Sequence, residues 1–137
     1  MTFLLDTNVV SELQRAKPAR AVLRWLNHVP YQSIYLSALT HGELRQGVER
    51  LPEGERKEQL RRWLESDVPA WFGNRFLPVT TAVADRWGRL VAESRRPLPT
   101  VDALLAATAL HHDLRLVTRN ESGFRFPGLT VLNPWTQ

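Results

Sequence analysis

Three of the fourteen acidic residues in this 137-residue chain stand out for what surrounds them. Asp6 closes the apolar run Phe3-Leu4-Leu5 and precedes the polar pair Thr7-Asn8. A short buried strand ending on a carboxylate places that group either at the cap of the next helix or in a site. Asp is among the best N-caps, and ligands gather beyond the carboxyl ends of parallel strands. Glu43 has small neighbours on its own helical stripe, Thr40 at i−3 and Gly47 at i+4, which leave its carboxylate uncovered. It equally fits a surface glutamate beside the apolar stripe of Leu44, Val48 and Leu51. Asp102 is the sole charge between Val101 and Leu110, a segment apolar nearly all round, as buried helices are. The helix dipole favours an acid in the first turn by about 0.3–1 kcal/mol. That explains why a charge is tolerated there, with Thr100 expected as N-cap, but not why one is present. We therefore read Asp102 as a site residue.

If the three acids converge, a cation must join them. Like charges a few ångströms apart raise each other's pKa, and burial adds to the effect. Hard oxygen ligands without sulfur select Mg²⁺ or Mn²⁺. The chain has no cysteine, and His111-His112 lack the i, i+4 spacing of a helical zinc pair. A nucleophilic phosphatase site on Asp6 is disfavoured, because the second Asp of that pattern is replaced here by Asn8.

Strands and helices alternate around these acids. After strand one, the pattern predicts helices over Thr7–Gln14 and Ala19–His28, the latter with an inward stripe of Val22, Trp25, Leu26 and Val29. Strand two covers Gln32–Ser37 and feeds a helix over Ala38–Arg50. A charged helix over Glu55–Asp67 turns Leu60, Trp63 and Leu64 inward, and Pro69 and Gly73 interrupt the Val68–Asn74 segment. Strand three is expected at Phe76–Val79, and a helix over Thr81–Arg95 repeats Val83, Trp87, Leu90 and Val91. The last helix, Val101–His112, leads to strands at Leu114–Thr118 and Leu129–Leu132. This alternation predicts an α/β chain with a mainly parallel sheet covered on both faces. With no internal repeat and no long linker, residues 1–137 are expected to form one domain.

Composition narrows the setting. An apolar content of 43% and a charged content of 23% are ordinary for a globular protein. The longest apolar run is far short of a membrane span. No basic stretch leads into a long apolar one near Met1, so no secretory leader is expected and the cytoplasm is the expected compartment. A net charge of +4 permits a polyanionic partner without requiring one. The basic residues are nearly all Arg but are spread along the chain, so no separate nucleic-acid arm is marked.

The motifs resemble those of the PIN-domain family, and more narrowly the VapC-type toxins of bacterial toxin–antitoxin pairs. The matching segments are residues 4–12 (LLDTNVVSE), 36–44 (LSALTHGEL), 98–109 (LPTVDALLAATA) and 116–120 (LVTRN), with a closing 132–135 (LNPW). They span the chain in order. The resemblance implies a three-layer α/β/α sandwich and a Mg²⁺- or Mn²⁺-dependent endoribonuclease acting on RNA. It maps Asp6, Glu43 and Asp102 onto the acidic site, and Asn8, Ser37 and Thr118 onto polar residues that hold ligands or waters. Arg119, ending strand four at the same edge, is placed to meet a phosphate. The resemblance further implies a cognate antitoxin, a homodimer, and DNA contact through the antitoxin complex. One departure is plain. The family usually supplies a fourth acid just after Thr-Arg, and those positions here are Asn120 and Gly123. Losing it weakens a second metal more than a first, and the alternative is a PIN-like binding module with weakened catalysis.

Overall fold

The computed structural model describes residues Met1–Gln137. Five short strands form one parallel sheet: β1 (Phe3–Leu5), β2 (Ile34–Ser37), β3 (Phe76–Leu77), β4 (Arg115–Val117) and β5 (Val131–Leu132), in the order β3-β2-β1-β4-β5. Seven α-helices connect them: α1 (Thr7–Glu12), α2 (Arg20–His28), α3 (Ala38–Glu49), α4 (Glu55–Arg62), α5 (Val68–Phe72), α6 (Thr81–Glu93) and α7 (Thr100–His111).

Both faces of the sheet are covered, as the apolar strands require. Phe3 and Leu5 point to one face, where they meet Val9 and Val10 of α1, Val22 and Trp25 of α2, and Leu44 and Val48 of α3. Leu4 points to the other and packs with Leu105, Ala106 and Ala109 of α7, Leu116 and Phe124. The alternation of β1 thus splits the core into two. The result is the expected three-layer α/β/α sandwich, with the sheet wholly parallel.

Three local expectations are corrected. Pro69 does not break the chain out of helix: α4 runs into a wide π-helical turn at Trp63–Asp67, where the Val68 amide donates to the Trp63 carbonyl, and α5 comes next. Pro69 then sits in the first turn of α5, the part of a helix that best accommodates proline. Thr100 is the first residue of α7 rather than its cap; Pro99 precedes the helix and no side chain caps it. Val91 of α6 lies 42% exposed instead of inward.

The strand order fixes where a site belongs. From β1 the chain moves to β2 and β3 on one side, then crosses back to place β4 on the other. The gap between β1 and β4 is the topological switch point, and ligands bind there beyond the strands' carboxyl ends. Asp6 follows β1 and Thr118 follows β4 at that gap.

Candidate functional site

Asp6 is the cap, and its second carboxylate oxygen still lies at the carboxyl rim of the sheet, so the cap does not displace the site reading. It is the N-cap of α1, its Oδ1 accepting from the Thr7 amide at 2.7 Å. Its Oδ2 accepts from the Thr118 hydroxyl at 2.8 Å and, more loosely, from the Asn8 amide at 3.4 Å. Only 8% of Asp6 is exposed. Burial pushes its pKa above the ordinary carboxylate value; the bonds from Thr118 and Thr7 oppose this, and the Asp102 and Glu43 charges add to it.

Asp102 reaches the same rim because α7 runs back antiparallel to β4, bringing its first turn to the strands' carboxyl ends. Its pKa is also raised, by burial first and then by the Glu43 charge. Glu43 arrives one and a half turns into α3, which springs from the end of β2. The Thr7 hydroxyl donates to its Oε1 at 2.5 Å. Three carboxylates distant in sequence therefore share one electrostatic neighbourhood. They are not closed into a ligand shell: no three Asp, Glu, His or Cys side chains in the chain stand at the spacing of one ion's ligands. The Thr7 bond ties Glu43 to the protein, which suits it to act through an intervening water.

The supporting residues fall into two groups. Thr118, fully buried, is a hub: it donates to Asp6 and accepts from the Asn8 side chain at 3.2 Å and the Asn120 amide at 3.0 Å. The Asn8 side-chain Oδ1 also accepts from the Arg119 amide at 3.4 Å, so the turn after β4 is stitched to the turn after β1. Ser37 is spent locally, capping α3 through the Leu39 amide at 3.0 Å. Arg119 is exposed, its guanidinium 5.1 Å from the centre of the Trp135 ring.

The missing fourth acid has a structural counterpart. A Cβ at Gly123 would run into the Asn120 side-chain amide, so glycine leaves room for that amide to fold over it. Glu121, the acid that follows Asn120, is engaged elsewhere: it accepts from the buried Asn133 amide at 3.2 Å. Asn133 also reaches the Arg119 carbonyl at 3.5 Å and accepts from the Trp135 amide at 2.9 Å. Sequence reasoning missed the roles of Thr7 and Asn133. An Asn-Pro pair after the last strand is a turn signal, and it was the one clue to Asn133.

Known proteins resemble the chain along most of its length. Residues 3–127 match the family model described as PIN domain. The chain is 37% identical over 135 residues to VapC ribonuclease Y4jK of Sinorhizobium fredii, covering 96% of each. It is 36% identical to Toxin FitB of Neisseria gonorrhoeae, covering 96% of this chain and 97% of that protein. A solved structure of FitAB bound to an IR36 DNA fragment matches with a TM-score of 0.90 at 34% identity, over 98% of this chain and 96% of that one.

Proposed function

This chain belongs to the PIN-domain family, and from that premise we propose that it is the ribonuclease toxin of a toxin–antitoxin pair, cutting RNA phosphodiester bonds with Mg²⁺ or Mn²⁺. The observation that carries this is the gathering of Asp6, Asp102 and Glu43 at the switch point of the sheet, where Thr7 bonds both Asp6 and Glu43. Charges that oppose one another in a buried setting call for a cation, and an all-oxygen donor set matches a hard divalent ion. Asp6 and Asp102 are the residues that would hold it, with Glu43 acting through water.

A bound ion supplies charge neutralisation at the phosphate and lowers the pKa of a water. The remaining work falls to the chain. Thr118 and the Thr7 amide fix the Asp6 carboxylate by using one oxygen each. Thr7 orients Glu43, which is placed to take the proton of an attacking water in an in-line displacement. Arg119, held beside Trp135, meets a phosphate of the incoming strand. Asn8, Ser37 and Asn120 keep the turns that carry these groups in register.

The neighbouring FitAB structure, a complex bound to DNA, supports an antitoxin as this chain's partner, with DNA reached through that complex. A homodimer and a cytoplasmic setting complete the reading; no helix is long and apolar enough to cross a membrane. Residues 1–137 act together as one PIN-like unit.

The test is cleavage of a structured RNA by the purified chain. Cutting is expected with Mg²⁺ or Mn²⁺ and is expected to stop in EDTA. Cutting unchanged by EDTA would reject the metal mechanism. The departure at Asn120 and Gly123 favours one second reading, a binding module with weakened catalysis. RNA bound but uncut, with no Mn²⁺ taken up, would establish that instead.

A further inference from the structure

We propose that a cleft beside the three acids is a subsite for one unpaired RNA base next to the scissile phosphate. The proposal rests on the nuclease reading and names what that site would read. Leu39, Gly42, Glu43 and Gln46 of α3, with Val79 ahead of α6 and Val101 of α7, border a space of about 420 Å³. That is within the range of small-ligand sites.

Four features point to a base. The cleft is continuous with the acids, since Glu43 forms part of its wall and Val101 adjoins Asp102. Its lining holds no Lys or Arg, and the Glu43 carboxylate repels a phosphate. Its walls are aliphatic, and Val79 is 40% exposed, an apolar surface that a neutral planar base covers. Gln46 is exposed at its edge, with an amide that both donates and accepts and so can pair with a base edge. Sequence-specific RNA recognition works on unpaired bases splayed from the strand. The other cleft flanking Glu43, about 250 Å³, differs in being edged by Arg15 and Arg56.

Gly42 provides the test. A Cβ there would meet nothing within 4 Å, so a larger side chain projects into open space, and the substitution removes a glycine from a helix interior. Gly42→Leu is expected to lower kcat/KM for RNA by about tenfold, the low end for an altered apolar pocket, and to shift the cleavage positions, while Mn²⁺ affinity measured by calorimetry stays as in the wild type. Gln46→Ala, which enlarges the cleft, is expected to relax base preference at one nucleotide beside the cut. Gly88→Leu on α6, equally open, serves as the control and is expected to cleave like the wild type.

Identical cleavage positions and kcat/KM in the wild type, Gly42→Leu and Gln46→Ala would overturn the subsite. Intact cleavage with lost antitoxin binding in Gly42→Leu would overturn it too, assigning the cleft to the partner protein. A wild type that cuts no RNA with Mg²⁺ or Mn²⁺ would instead overturn the nuclease reading beneath it.

Discussion

At the carboxyl rim of the sheet Asp6 is buried and bound by Thr7 and Thr118, whereas at the amino rim Arg86, Arg115 and Asp113 border a much roomier cleft of about 680 Å³. The amino-rim charges are solvated: Arg86 and Asp113 are exposed and Arg115 is half-buried. Size would choose the amino rim and chemistry chooses the other. A solvated charge costs the fold little and does little. A desolvated carboxylate facing two more is costly to hold, and such perturbed groups cluster where catalysis is done.

The sharpest way to break this contrast is to neutralise one residue at each rim. Asp6→Asn is expected to reduce RNA cleavage by more than the roughly 10–100-fold typical of losing an outer-shell partner. Arg86→Gln is expected to leave the rate unchanged. Initial rates at saturating Mg²⁺ decide it, and comparable losses in both variants would dissolve the distinction between the rims.

A smaller effect is expected from Thr118→Val, which keeps the shape and removes the hydroxyl. Asp6 loses the closer of its two donors on Oδ2, and the Asn8 side chain and Asn120 amide lose the hydroxyl as acceptor. Cleavage is expected to fall about 10–100-fold, with thermal stability lowered by about 1–3 kcal/mol for groups left unpaired. An unchanged rate in this variant would show that the Thr118 hub has no part in holding the site.

The smallest effect is on stability and depends on pH. Asp6 and Asp102 are both shifted upward in the folded chain, by burial first. The folded state then binds these protons more tightly than the unfolded one, so stability falls as pH rises. In EDTA the part of the melting temperature that depends on Asp6 and Asp102 is expected to decline from the ordinary Asp value near 3.9 up through the raised values, then level off. Asp6→Asn is expected to flatten that decline and Mg²⁺ to offset it. A rise in stability with pH over this window, traceable to Asp6, would contradict the shift. Calorimetric melts across the pH series make the comparison.

How far the sequence carried depended on range. Apolar runs that stop on Asp6 and surround Asp102 are local signals, so strands, helices and two acids were legible. The layering followed from the alternation of strands with helices along the chain. Glu43 was ambiguous on its own helix, because what defines it is the hydroxyl of Thr7, 36 positions away. Thr118 acts through Asp6, 112 positions away, and Asn133 through Arg119 and Glu121, 14 and 12 positions away, and neither leaves a periodic trace. Pro69 read as a breaker because the widened turn ahead of it has no composition of its own.

The most direct measurement is a calorimetric titration of Mn²⁺ into the metal-free protein and its single-acid variants. Saturable binding is expected in the wild type, lost in Asp6→Asn and Asp102→Asn, and weakened but retained in Glu43→Gln, whose carboxylate acts at one remove. No binding by the wild type, or binding indifferent to both Asp substitutions, would contradict the claim that these acids are gathered to hold a cation.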